Sequence, residues 1–249
     1  MLERPAPGNH EYYAYTKKGD NEAGQNGAGY FAYFNGHDAA GAPNVEGQAG
    51  DDSSTNQGWY SYDLGHWHII SLNIECNSAA FNNDCSTTDG GVLAGETSGL
   101  AQDLEADHAP CTLAYWHQPT FSSTASPFTS DSQEGGTADA WWKLLYQHHA
   151  TLILNGHDHV YSRFAPMDPA GNADPRGIRE FIVGTGGESL DTVLPNTPNL
   201  QAWADQYYGV MKLTLKPNGY DWDYESVLPA SASVTPASYS DSGSGTCNH

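Results

Sequence analysis

Eleven histidines sit in a chain with only nine Lys and Arg residues, and three short segments place five side chains where they could do chemistry. They are Pro7-Gly8-Asn9-His10-Glu11, Tyr115-Trp116-His117-Gln118-Pro119 and Asn155-Gly156-His157-Asp158-His159. Imidazole nitrogens and an Asn amide oxygen form a borderline donor set, which suits Zn, Fe or Mn better than Ca. His157 and His159, two residues apart, can reach two adjacent ions or straddle one. Two His flanking an Asp after a Gly turn have little packing logic, so this segment points to metal binding. Gly8 and Gly156 allow the tight turns that bring such side chains inward. The other histidines have plainer readings: His66, His68, His108, His148 and His149 as structural residues, His37 and His249 as solvated ones.

Strands must deliver these residues. Thr112–Trp116 is a compact apolar run ending at His117, and Thr151–Asn155 is another that runs into Gly156. In open α/β sheets, sites gather beyond the carboxyl ends of strands. Helical spacing predicts helices over 99–107 and 137–149, each followed at once by a strand, and this order predicts parallel pairing. Residues 59–64 and 67–74 read as two strands joined by a Gly65-His66 turn. Residues 180–184 read as a strand, and 208–215 with 220–226 as a hairpin. Residues 12–58, 77–98 and 118–136 read as loops, and the Ser/Gly-rich end as a polar tail anchored by Cys247. The fold class is α/β (mixed α+β), with sandwich-like sheets flanked by helices.

A length of 249 residues suits a single domain spanning 1–249. A formal net charge of −21 repels phosphate backbones and anionic lipid, which excludes nucleic-acid and membrane-surface partners. No apolar run approaches the ~18 residues of a membrane span. The four Cys form no close pair of the zinc-binding kind and predict two disulfides in an oxidising compartment, secreted or periplasmic. Cys76–Cys85 and Cys111–Cys247 are the natural pairs, with three connectivities formally open. The first ten residues hold no apolar signal region, which predicts that export information lies outside this sequence.

Together, Gly8-Asn9-His10-Glu11, the strand-ending His117 and Gly156-His157-Asp158-His159 resemble the motifs of the calcineurin-like metallophosphoesterases. Within that family, the secreted bacterial branch related to the purple acid phosphatases is the nearest in character. Tyr60-Ser61-Tyr62-Asp63-Leu64, Glu180-Phe181-Ile182-Val183-Gly184 and the closing Ser/Gly-rich segment extend the resemblance over nearly the whole chain.

The resemblance implies a two-sheet sandwich flanked by helices and a two-metal site that hydrolyses small phosphate esters. It assigns Asn9, His117 and His157 to one metal and His159 to the other. His10 would lie beside the phosphoryl group, where it could bind an oxygen or protonate the leaving group. Asp158 and Glu11 would act as turn or supporting residues. The family's earlier Asp motif and its Gly-Asp-x-x-Tyr motif are not found here, since only seven residues precede Gly8. Nor does 122–128 hold the substrate-side His that the family places after the His117 motif. The chain therefore reads as an N-terminally truncated catalytic domain, with an uncovered sheet edge open to self-association. The reading from a different class is a non-catalytic or single-metal module that serves in binding or assembly.

Overall fold

The computed structural model describes residues 3–12, 30, 34, 58–75, 86–88, 93–124, 134–227 and 238–248. A short helix α1 (Asn9–Tyr12) precedes β1 (Tyr60–Leu64) and β2 (Trp67–Ser71). Then come α2 (Ala94–Ala106), β3 (Cys111–Trp116), α3 (Glu134–Gln147), β4 (Leu152–Asn155), β5 (Tyr161–Phe164) and β6 (Arg179–Val183). The chain closes with β7 (Leu200–Ala204), β8 (Gly209–Lys216), β9 (Gly219–Ser226) and β10 (Ser240–Thr246). Seven strands form one sheet in the order β1-β2-β3-β4-β6-β5-β7, and three form a second in the order β10-β9-β8.

As the helix-then-strand order predicts, β2, β3 and β4 are parallel, and β6 joins them in the same direction. Side chains alternate between the two faces of this central block. Ile70, Ala114, Ile153 and Ile182 face α2 and α3, where they meet Leu100, Leu104, Trp141, Trp142 and Leu145. Ile69, Leu113, Leu152 and Phe181 face the smaller sheet and meet Tyr220, Trp222 and Tyr224. Cover on both faces explains why every residue of β2 is buried. The layers are helices, large sheet, small sheet.

Two expectations need correction. The Ser/Gly-rich end is not a tail: β10 pairs with β9 from Ser240↔Glu225 to Thr246↔Gly219. Ser and Gly carry no strand preference of their own, so partner and anchor decide the conformation. The anchor is the expected Cys111–Cys247 disulfide, assisted by Asn248, whose amide donates to Ala150 O and Gly177 O at 2.8 and 2.9 Å. Next, the helices begin earlier than their apolar spacing suggests, at Ala94 and Glu134. In α2 the reason is Glu96, a buried carboxylate that accepts the Asn73 N–H at 2.7 Å and so extends the inward face by a polar residue. Beyond these, β5 and β7 had no prediction; both are short, and they form the antiparallel margin of the large sheet. Cys76 and Cys85 lie outside the described residues, as does most of 12–58. The large sheet ends at β1 and β7. Among the described residues, no helix is long and apolar enough to cross a membrane.

Candidate functional site

The site starts at a helix cap. Gly8 N–H donates to Glu11 Oε2 at 2.7 Å, the glutamate half of a capping box, while Glu11 N–H closes the turn on Gly8 O at 3.1 Å. Glu11 is thereby spent on the turn. Asn9 and His10 fill the first helical turn, Asn9 half-buried and His10 exposed. Gly8 is required because its backbone lies under the His117 ring: a Cβ there would sit 2.8–2.9 Å from three ring atoms.

His117 follows β3 directly. The parallel register sets Trp116 opposite Asn155, and Asn155 Nδ2–H donates to Trp116 O at 3.0 Å while Gly156 N–H donates to His117 O at 2.9 Å. These bonds stitch the two strand ends together and bring His157 against His117, ring centroids 5.0 Å apart and nearly perpendicular. Asn9 Oδ1 lies 3.0 Å from His117 Nε2. Asp158 N–H reaches Gly156 O at 2.7 Å across His157, whose φ is 63°. That is a γ-turn of the uncommon left-handed kind, and such strain concentrates at functional sites.

His159 is oriented by the loop after β6. Its Nδ1 lies 2.8 Å from Ser189 O and its N–H donates to Asp191 Oδ2 at 2.9 Å. A carbonyl only accepts, so Nδ1 carries the hydrogen and Nε2 keeps the lone pair. The loop can come this close because of Gly184, where a Cβ would collide with the Asp158 carbonyl oxygen. Asp158 is fully buried and turned inward, accepting the Ser122 hydroxyl. Burial raises its carboxyl to about 7, with Ser122 opposing the shift and Asp191 adding to it.

Electrostatics show what the cluster lacks. The His117 pKa is lowered to about 3, first by burial and then by the imidazoles of His157, His10 and His159. Four imidazoles converge and, among the described residues, no carboxylate is a leading contribution to holding His117 protonated, so it presents a neutral donor well into the acid range. The structure therefore gathers all five residues singled out by sequence: Asn9, His10, His117, His157 and His159. The Ser189–Asp191 clasp on His159 was missed; its only sequence signal is the Gly-rich stretch 184–187 directly after a strand. Glu188 also belongs here: its exposed carboxylate is lowered by the Ser189 amide and hydroxyl and, more weakly, by His159 and His10.

Among the described residues, Asp63, His68 and Asp107 also bring ligand atoms within 4.8 Å of one another. This group lies at the opposite end of the parallel strands and lines a cavity of about 560 Å³ with Asp103, His66 and His108. Both ring nitrogens of His68 are occupied, by Asp63 at 2.8 Å and Asp103 at 3.0 Å. Burial pulls the His68 pKa down, but these two bonds and the charges of Asp103 and Asp107 reverse this and raise it to about 9. The imidazolium is itself the cation of that group, in keeping with a structural role.

No protein-family model matches the chain. An uncharacterised protein of Mycobacterium tuberculosis is 27% identical over 216 residues, covering 76% of this chain and 36% of the relative. Acid phosphatase A of Cryphonectria parasitica is 29% identical over 169 residues, covering 60% of this chain and 32% of the relative. The chain thus spans about a third of the length of these relatives. Among solved structures, a purple acid phosphatase from yellow lupin (Lupinus luteus) seeds aligns with a TM-score of 0.63 at 18% identity, over 94% of this chain and 39% of that one.

Proposed function

We propose, from the premise that this chain has the calcineurin-like metallophosphoesterase fold, that it is the metal-binding part of a phosphoric ester hydrolase acting on small phosphate monoesters. The observation that carries the proposal is the convergence of Asn9, His117 and His157 with His159 and His10 at the carboxyl ends of β3 and β4. The donor set fits a transition metal such as Zn, Fe or Mn. The 3.0 Å between Asn9 Oδ1 and His117 Nε2 suits two neighbouring ligands of one ion, since donors at ~2.1 Å and right angles lie about 3 Å apart. Asn9, His117 and His157 would hold that ion, and His159 Nε2 would contribute to a second. A metal bound there supplies Lewis-acid polarisation of the phosphoryl group and acidifies water.

The chain's own residues do the rest. The buried surroundings of His117 keep its imidazole neutral, so protons compete poorly with metal at acidic pH. The Ser189 carbonyl fixes the His159 tautomer, and the Asp191 carboxylate fixes its backbone. His10, exposed beside the cluster, would approach a phosphate oxygen and hand a proton to the departing alkoxide. In a chain of charge −21, the metal provides the positive potential that a phosphate would seek. The Cys111–Cys247 disulfide supports work in an oxidising, extracellular or periplasmic setting.

Two measurements test this reading. Metal analysis after loading should give at least one Zn or Mn per chain, reduced by His117→Ala and His157→Ala. Hydrolysis of p-nitrophenyl phosphate should fall by about 10²-fold or more in His10→Ala. Activity that survives both His10→Ala and His117→Ala would sink the catalytic assignment. Of the two stoichiometries, one ion per chain would favour the single-metal reading and two ions the dinuclear one.

A further inference from the structure

Tyr60, Ser71 and Tyr115 form a row across three adjacent strands: Tyr60 is the register partner of Ser71 in β1–β2, and Ser71 of Tyr115 in β2–β3. All three hydroxyls point at the peptide carbonyls of Arg4 and Pro5. Tyr60 OH donates to Pro5 O at 2.7 Å, Ser71 Oγ to the same oxygen at 3.2 Å, and Tyr115 OH to Arg4 O at 2.9 Å. Tyr30 OH adds a further contact to Pro5 O at 3.1 Å. Ordinary strand interiors at this depth carry apolar residues. Here a polar row lies on the face that also carries Ile69 and Leu113, and its partners are main-chain oxygens of a segment distant in sequence.

From these observations we propose that Tyr60 and Tyr115 are positioning residues, which set the Asn9 side chain as a metal ligand by gripping the peptide that leads to it. The inference rests on the metal site proposed above. Three links transmit the grip. Pro5 and Pro7 have φ fixed by their rings, so the Pro5-Ala6-Pro7 strut between grip and site has few free torsions. Gly8 then lies against the His117 ring with no room for a Cβ. Asn9 follows, with Oδ1 3.0 Å from His117 Nε2. A shift of the strut is passed on to Asn9 because the proline rings restrain the strut and Gly8 is confined against the His117 ring.

The proton count is consistent. Each phenol has one hydrogen, and the two oxygens lie 3.0 Å apart. Tyr60 donating to Pro5 leaves Tyr115 free to donate to Arg4, with both carbonyls satisfied. Burial raises both phenol pKa values, so they remain donors across the range in which a metal site operates. Arg4 stacks its guanidinium 4.9 Å over the Tyr62 ring, holding the start of the strut on the same strand.

The test compares wild type, Tyr60→Phe/Tyr115→Phe, Asn9→Ala and the triple variant. Cobalt(II) titration followed by visible absorption should show about tenfold weaker binding and an altered spectrum in the double Phe variant. In the Asn9→Ala background the Phe substitutions should cost nothing further, because they act through Asn9. Equal losses in both backgrounds, or unchanged cobalt binding in the double variant, would overturn the proposal. Amide NMR of the metal-free proteins supplies the second readout. The Asn9 side-chain NH₂ signals should shift or broaden in the double variant while β3 and β4 amides stay in place. Unchanged Asn9 signals also overturn it. Wild-type protein that binds no cobalt defeats the metal reading by itself, whereas the Asn9 signals still report whether the grip positions that residue.

Discussion

Substituting Ala for Gly8 tests the site at its tightest point. The new Cβ would lie 2.8 Å from Cε1 and 2.9 Å from both nitrogens of the His117 ring. Carbon contacts relax at about 3.5–4.0 Å, so ring and helix must part by roughly 0.7–1.2 Å. On its other side the His157 ring, with centroids 5.0 Å apart, limits how far the His117 ring can yield. Such a displacement breaks the 3.0 Å approach of Asn9 to His117 and far exceeds the about ±0.2 Å that a metal tolerates in its ligand distances. Metal affinity should therefore fall by about 10–100-fold, as for other disturbances of ligand orientation. Folding should suffer far less. Overpacking costs about 1–3 kcal/mol, and the stiffer unfolded chain returns about 0.4–1 kcal/mol. Isothermal titration with Zn reads the first effect, and urea denaturation in chelator reads the second. Gly156→Ala is the control, because its Cβ meets His117 at ordinary contact distance and should change affinity less than about threefold. Gly8→Ala binding Zn like wild type, or Gly156→Ala failing equally, would refute the geometry on which the assignment of Asn9 and His117 rests.

Other elements give equally direct predictions. His68 holds its proton up to about pH 9 in the folded state but only to about 6.5 when unfolded. Between those values the folded chain binds the extra proton, so this contribution to stability is complete below pH 6.5 and lost as pH rises through 9. Asp103→Asn should flatten the decline in urea-midpoint measurements between pH 6.5 and 9, and an unchanged profile would count against the ion pair. Cys111→Ser with Cys247→Ser opens a loop with a sequence separation of 136, for which about 2–5 kcal/mol of lost stability is expected. Limited proteolysis should then cut near β10 first; resistance there would mean that β9 alone holds the strand. Gly184→Ala drives a Cβ into the Asp158 carbonyl oxygen, a backbone atom that cannot rotate away. It should cost more than about 3 kcal/mol and shift the NMR signals of His159. A soluble variant with native melting behaviour would show that the loop after β6 does not clasp His159.

How much of this could be read in the sequence follows from how far each signal travels along the chain. Strands that end in His117 and His157 declare themselves locally, because a run such as Leu152-Ile153-Leu154 must be buried and the residue after it must emerge at a strand end. Parallel pairing of β3 and β4 follows from the helix between them, and with it the meeting of two histidines 40 residues apart. The resemblance of Gly8-Asn9-His10-Glu11 to a known motif brought α1 to the same end. What stayed hidden depends on partners with no local signature. Nothing in Ser240–Thr246 predicts a strand until β9 and Cys111 are beside it. Nothing in Ser189 marks it as the acceptor for His159, because the contact is made by a carbonyl that every residue has. The hydroxyl row of Tyr60, Ser71 and Tyr115 is invisible for the same reason, since its partners are also main-chain carbonyls. Side chains announce the proposed ligands of this site, but the main chain holds them in place, and that part becomes legible only once the chain has folded.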